Sequence, residues 1–200
     1  MNILVSLAAT ALLGTLLQPA ISKDKPGHEV SASTTPGTGT ITEVVRATGV
    51  VDAIDLQKRH VTIKDSHGKL VALEVGPDAR NFEQLKVGDK VNVRYTQALT
   101  LTLMKDGKEL RSRTETKSDD RAAAGQRPGG AMGEKVEVTA NVVVVNRKTH
   151  MITLRGTEYE VDLIVRDPEQ LKLIKVGDQV HAVYTEAVAL SIEPAAAKKQ

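Results

Sequence analysis

The chain has no cysteine and no tryptophan, and only one phenylalanine and three tyrosines in 200 residues. Without Cys there can be no disulfide framework, no thiolate metal site, no Cys nucleophile and no lipid anchor of the lipoprotein kind. So few aromatic rings leave little for the stacking platforms that single-stranded nucleic acids require. The formal net charge is +2, with both signs interspersed, so no basic patch marks a nucleic-acid footprint. Catalytic signatures are missing as well: no G-x-S-x-G, H-E-x-x-H, phosphate loop or EF-hand loop occurs. Asp52 with Asp55, and Asp119 with Asp120, are carboxylate pairs by sequence alone, with no partner that would split two pKa values. The sequence therefore reads as a non-enzyme that calls for no cofactor.

Long apolar runs are scarce too. The one run of note is Ile3 to Leu17, "ILVSLAATALLGTLL", shorter than the roughly 20 residues a membrane span needs. Ala20-Ile21-Ser22 follows it with small residues at the two positions a signal peptidase reads, and charge begins at Lys23. Residues 1–22 are thus expected to be a cleaved signal peptide. The mature protein is expected in the periplasm or outside the cell, without a stable membrane anchor.

What is present is aliphatic. Forty per cent of the residues are hydrophobic, and Val, Thr and Ile recur in short alternating runs that favour strands. One sentence is written twice: "LKVGDKVNVRYTQALTL" at 85–101 and "IKVGDQVHAVYTEAVAL" at 174–190 agree at nine of seventeen positions. The surrounding segments align as well, so a fold unit copied in tandem is the expectation. Residues 23–40 are rich in Pro, Gly, Ser and Thr and read as a flexible tether. Residues 41–104 form the first unit and 136–194 the second. Residues 105–135 read as a hairpin turning at Asp106-Gly107 and an exposed linker loop, and 195–200 as a tail.

Each unit offers five short strands with a short helix between the third and fourth, an order that fits an OB-like barrel. The expected fold is therefore all-β, two tandem five-stranded OB-like barrels. In the second unit Asp167 and Pro168 supply an N-cap and a first helical residue. Pro77-Asp78 is the weaker start signal in the first. Gly88 and Gly177 are expected at positive φ where the helix gives way to strand four.

"ATGVVDAIDLQKRHVTIKD", followed by "LKVGDKVNV", resembles the small periplasmic OB-fold copper chaperones of bacterial metal-efflux systems. The chain as a whole resembles uncharacterised secreted proteins of Gram-negative bacteria with the same two-unit plan. The first resemblance implies copper or silver handling through a His, two Met and a Trp on the second and third strands. This chain has no Trp, and no Met between Val61 and Val75. His60, His150 and Met151, at the starts of the second strands, are the soft-ligand candidates, but no third ligand has suitable spacing. His28 falls in the tether, His67 in a turn and His181 at a polar position of strand four, so no metal site is assigned.

The OB-like reading implies ligand binding on a barrel face. Tyr95 and Tyr184 occupy equivalent positions, each followed by Thr, and form the candidate ligand-binding pair; Tyr159 and Phe82 are the other rings. The expected function is a secreted, non-catalytic binding or scaffolding protein of the bacterial envelope, with a protein or small-ligand partner and no nucleic acid. The alternative is a periplasmic copper- or silver-handling protein.

Overall fold

The computed structural model describes residues 27–76 and 79–195. The expected signal segment, residues 196–200 of the expected tail, and the Pro77-Asp78 start signal lie outside the described residues. The fold is all-β: ten strands, β1 (His28–Thr35), β2 (Thr38–Asp55), β3 (His60–Asp65), β4 (Leu70–Glu74), β5 (Lys90–Met104), β6 (Ser112–Arg121), β7 (Gly129–Asn146), β8 (Met151–Arg155), β9 (Glu160–Ile164) and β10 (Gln179–Glu193). All pairings are antiparallel, and the strands form one open sheet in the order β4-β3-β2-β5-β10-β7-β8-β9. β1 lies beside the first part of β2, along the edge that β3 uses further on, and β6 lies beside β7 in the same way. Among the described residues no helix is long and apolar enough to cross a membrane.

The sheet does not close into two barrels, and the sequence contains the reason. Strands four and five of each expected unit are a single strand: no Gly or Pro interrupts "KVNVRYTQALTLTLM", and β5 runs unbroken for 15 residues. Its far half is thereby carried past its own half of the molecule. One edge of β5 is taken by β2 and the other by β10, so neither is free to meet β4. β10 is held likewise between β5 and β7.

Two further expectations change. The expected tether is ordered strand from His28 onward, and residues 112–121 of the expected linker are β6, with β7 starting at Gly129. Both β1 and β6 are edge strands with almost every residue exposed, so neither needs the apolar alternation that reveals a strand in a sequence. The hairpin expected at Asp106-Gly107 does not form. Residues 105–111 instead carry the chain from β5 across to the outer edge of β7, where β6 pairs.

Two cores result. Val51, Val61, Phe82, Leu85 and Val91 pack with Ile192, which comes from β10. Val142, Ile152, Leu154, Leu163, Leu171, Ile174 and Val180 pack together, with Leu101 and Leu103 of β5 against them. Each half therefore lends the end of its last strand to the core of the other. Val51 and Val142 are the most deeply buried side chains, and burying one valine fully contributes about 1.5–3 kcal/mol.

The repeated Lys-Val-Gly-Asp turn locks these lent ends in place. Gly88 and Gly177 have φ of 93° and 95°, a conformation that costs other residues roughly 1 kcal/mol or more. At positive φ their amides reach the Val51 and Val142 carbonyls at 2.8 and 3.0 Å, and the amides of those valines donate to the Asp89 and Asp178 carbonyls. The contacts fall where β2 and β7 bulge, between Val51 and Ala53 and between Val142 and Val144. The Asp178 carboxylate accepts from the Lys175 amide at 2.8 Å, and the Asp89 carboxylate from the Lys86 amide at 3.0 Å. Each also accepts from the amide just beyond the other half's last strand, Asp178 from Asp106 at 3.4 Å and Asp89 from Ala195 at 3.3 Å.

The expected helix of the second half is present as α1 (Pro168–Leu173), and the Asp167 side chain accepts from the Glu169 amide at 2.9 Å. The first half has a 3₁₀ turn at Phe82–Gln84 instead. It is entered through Asn81, whose φ is 59° and whose side chain makes no cap there. That side chain donates to the Ala123 carbonyl in the β6–β7 turn, so it is engaged elsewhere.

Candidate functional site

The pairing of β5 with β10 is centred on Gln97 opposite Glu186, with Lys90 opposite Glu193 at one end and Met104 opposite Gln179 at the other. Gln97 and Glu186 occupy corresponding places in the repeated sentence, two residues after Tyr95 and Tyr184. An approximate two-fold axis thus passes through this pair. Side chains directly opposite one another share a face, and residues two apart on a strand share it too. Tyr95, Gln97, Tyr184 and Glu186 therefore project together from the middle of the sheet.

The two tyrosines meet on one carboxylate. Tyr95 Oη donates to Glu186 Oε1 at 3.0 Å and Tyr184 Oη to Glu186 Oε2 at 2.9 Å. Tyr184 Oη also lies 3.4 Å from Gln97 Oε1, and Gln97 Nε2 donates to Glu43 Oε2 at 2.6 Å. His28 Nε2 is 2.6 Å from the other Glu43 oxygen, which completes a chain of six side chains drawn from β1, β2, β5 and β10. Burial, then the hydrogen bond to Glu186, pushes the Tyr95 hydroxyl up to about 12, and the same causes raise Tyr184. Both phenols stay protonated, as donors, at neutral pH.

A row of polar residues crosses four strands here, because Glu43 pairs with Gln97, Gln97 with Glu186 and Glu186 with Glu134. Among the described residues none donates a hydrogen bond to the buried Glu134 Oε1. Burial, then the neighbouring Glu115 carboxylate, raises its pKa. Glu115 is lowered, chiefly by its bond to Lys117 at 3.1 Å. A proton on Glu134 turns two facing acceptors into a donor and an acceptor. The flanks of the row are apolar: Tyr95 is paired with Val45 and Val188, and Tyr184 with Leu99 and Val136. A hydrogen-bonding centre with an apolar surround suits a contact surface for a partner that carries a donor or cation on an apolar body.

No protein-family model, curated protein or solved structure matches the chain.

The other candidates are not brought together. His60 is on β3 and Met151 on β8, and four strands lie between them in the sheet. His150 sits before β8 with φ 56°, its carbonyl accepting from Val165 at 2.7 Å. Its counterpart in the first half is Arg59, with φ 53°, whose carbonyl accepts from Val75 and whose guanidinium lies over the buried Phe82 ring. Asp55 and Asp119 are engaged locally, Asp55 by the Gln57 and Lys58 amides and Asp119 by Arg121 at 2.9 Å. His181 lies 3.4 Å from Thr139 Oγ1 on the opposite face of β10 from the tyrosines. Tyr159 is exposed.

Sequence reasoning found the tyrosines through the repeat but missed Gln97, Glu186, Glu43 and His28. The repeat held a signal for two of them, since Gln and Glu stand at the one matched position that meets itself across the axis. Glu43 and His28 gave none, because Glu43 is placed by the pairing of β2 with β5 and His28 by the pairing of β1 with β2.

Proposed function

We propose that the protein is a secreted, non-catalytic binding or scaffolding module of the bacterial envelope. Its contact surface is the face around Tyr95 and Tyr184, between two halves that are each an open variant of an OB-like unit. One observation carries this reading: equivalent tyrosines from the two halves converge on Glu186, at the centre of the one sheet the halves share. A partner, protein or small ligand, presents a donor or cation to the Glu43–Glu186–Glu134 row and an apolar body to Val45, Leu99 and Val188.

The test is retention of envelope components by the immobilised protein, compared with Tyr95→Ala/Tyr184→Ala of matched thermal stability. A component held by the parent and lost by the variant supports the surface; equal retention by both sinks it. Secretion is tested separately by intact mass of the periplasmic protein, where a mass that keeps Met1 to Ser22 refutes cleavage. The same reading expects no specific Cu(I) uptake. Stoichiometric copper that survives a strong Cu(I) chelator and is lost in His60→Ala favours the metal-handling alternative.

A further inference from the structure

Away from the tyrosines, a cleft of about 560 Å³ opens at the corner where the β7–β8 turn meets the Lys-Val-Gly-Asp turn of the second half. Its lining comprises Val144, Val145, Asn146, Arg147, Lys148, Lys175 and Val176, three cations and no carboxylate. Arg147 reaches the Ile174 carbonyl at 3.5 Å. Among the described residues none of the three cations is ion-paired, whereas Lys135, Lys172 and Arg155 each hold a glutamate. Val144 and Val176 are exposed beside them, at 46% and 65%.

The first half supplies an internal control. Its corresponding turn has the same geometry: Asp55 Oδ1 accepts from the Gln57 and Lys58 amides, as Asn146 Oδ1 accepts from the Lys148 and Thr149 amides. Its chemistry differs. Asp52, Asp55, Leu56 and Gln57 stand where the second half has Val143, Asn146, Arg147 and Lys148. Among the first-half residues that correspond to the lining, Asp55 and Lys86 are the charged ones, so that corner is neutral. The fold therefore forms this turn without the cations, and their presence in the second half needs another reason.

We propose that this corner docks on an anionic lipid surface, Arg147, Lys148 and Lys175 meeting phosphate headgroups while Val144 and Val176 enter the interface. Both halves of an amphiphile are matched, cation to headgroup and valine to acyl boundary. Nucleic acid would use the charge and leave the valines in water, and the lining offers no ring to stack on a base.

The test is vesicle co-sedimentation of the protein starting at Lys23, which retains every described residue. Vesicles of phosphatidylglycerol with phosphatidylcholine are compared with phosphatidylcholine alone. The expected result is binding to the anionic vesicles only, weakened by salt. Arg147→Leu/Lys148→Gln installs the residues of the first half and should weaken it about thirtyfold, at roughly fivefold per cation. Val176→Ser should weaken binding with the salt dependence unchanged, and Tyr95→Phe/Tyr184→Phe should leave it as it is, which separates this surface from the tyrosine face. Equal binding to both vesicle types, no binding, or full binding by a folded Arg147→Leu/Lys148→Gln overturns the proposal. So does loss of vesicle binding to inorganic phosphate at matched ionic strength, which would assign the cleft to free phosphate, or to an acidic polypeptide or DNA in the same competition.

Discussion

In the first half of the molecule the chain approaches its last strand through a 3₁₀ turn; in the second it does so through a capped helix. The positions reached are nonetheless the same: Phe82 and Leu85 fill one core where Leu171 and Ile174 fill the other. Where the halves agree, at the buried valines, the turn glycines and the turn aspartates, the residues build the fold. Where they differ, at Gln97 against Glu186 or at the neutral and the cationic corner, the backbone keeps one geometry while the side chains take on different contacts. The turn aspartates show the boundary between these cases. Asp178 is met by Lys105 Nζ at 2.8 Å, while the cation nearest Asp89 among the described residues is Arg127 at 3.9 Å.

That contrast predicts the largest effects. Asp178→Ala leaves the Lys175 and Asp106 amides without their acceptor and strips Lys105 of its carboxylate, leaving it the Leu173 carbonyl. The expected loss is about 3 kcal/mol, a melting temperature lower by roughly 6–12 °C. Asp89→Ala should cost less, about 2 kcal/mol. Equal losses in thermal melts would show that Lys105 contributes nothing. Burial pushes the Asp178 carboxyl up, but Lys105 and the Lys175 and Asp106 amides outweigh it, and the net shift is downward. A lowered carboxyl stabilises the fold above its ordinary value and ceases to as pH falls through its folded one. Acid should therefore narrow the gap between Asp178→Ala and the parent by the part that depends on the charge.

The turn glycines come next. Gly88→Val and Gly177→Val should each destabilise by more than about 1 kcal/mol, because both sit at positive φ. Gly88→Val should be the worse, since a Cβ there comes within 3.3 Å of Ala195 and one at Gly177 meets nothing within 4 Å. Denaturant melts that rank them the other way would move the strain elsewhere.

Smaller again is the centre of the sheet. Gln97→Glu sets a carboxylate between Glu43 and Glu186 and removes the amide that donates to Glu43. About 1 kcal/mol should be lost at neutral pH, with recovery in acid. Glu186→Gln keeps an acceptor for the tyrosines and should change stability less. If the two substitutions cost the same, the axis tolerates either residue on either strand.

The smallest expected effect is a gain. The raised Glu134 carboxyl favours the fold while protonated, and that contribution is lost as pH rises through its folded value. Glu134→Gln should thus raise the melting temperature at neutral pH by about 1–2 °C and do nothing in acid. A drop at neutral pH would mean that Glu134 is held by a bond its amide cannot make.

Much of this architecture was legible in the sequence. Alternation at Val161 and Leu163 marks β9, because a pleated strand with one face toward the core must alternate; Val71 and Leu73 alternate in β4 as well, although that strand is exposed on both faces. Asp167-Pro168 marks α1, and Gly88 and Gly177 mark the turns. What was not legible is long-range pairing. The run from Lys90 to Met104 carries strand chemistry throughout, but nothing in it says whether Thr96 begins a second strand or continues the first. β1 and β6 satisfy their backbones along one edge only and bury no face, so Ser, Thr and charge suffice there. The tyrosine pair was visible as a repeat, while its partners became visible only once β5 met β10.

The Gln97–Glu186 pair has a consequence for how such a molecule can change. A symmetric dimer of identical chains must place the same side chain twice at its axis, so two glutamates there would repel and two glutamines would carry no charge. Joining the halves in one chain frees the two copies of that position from each other. One can keep an amide that bridges neighbours while the other keeps the charge that gathers both tyrosines. The axis becomes the place where a polypeptide made of matching halves can hold two different residues at the smallest distance, and so acquire a direction.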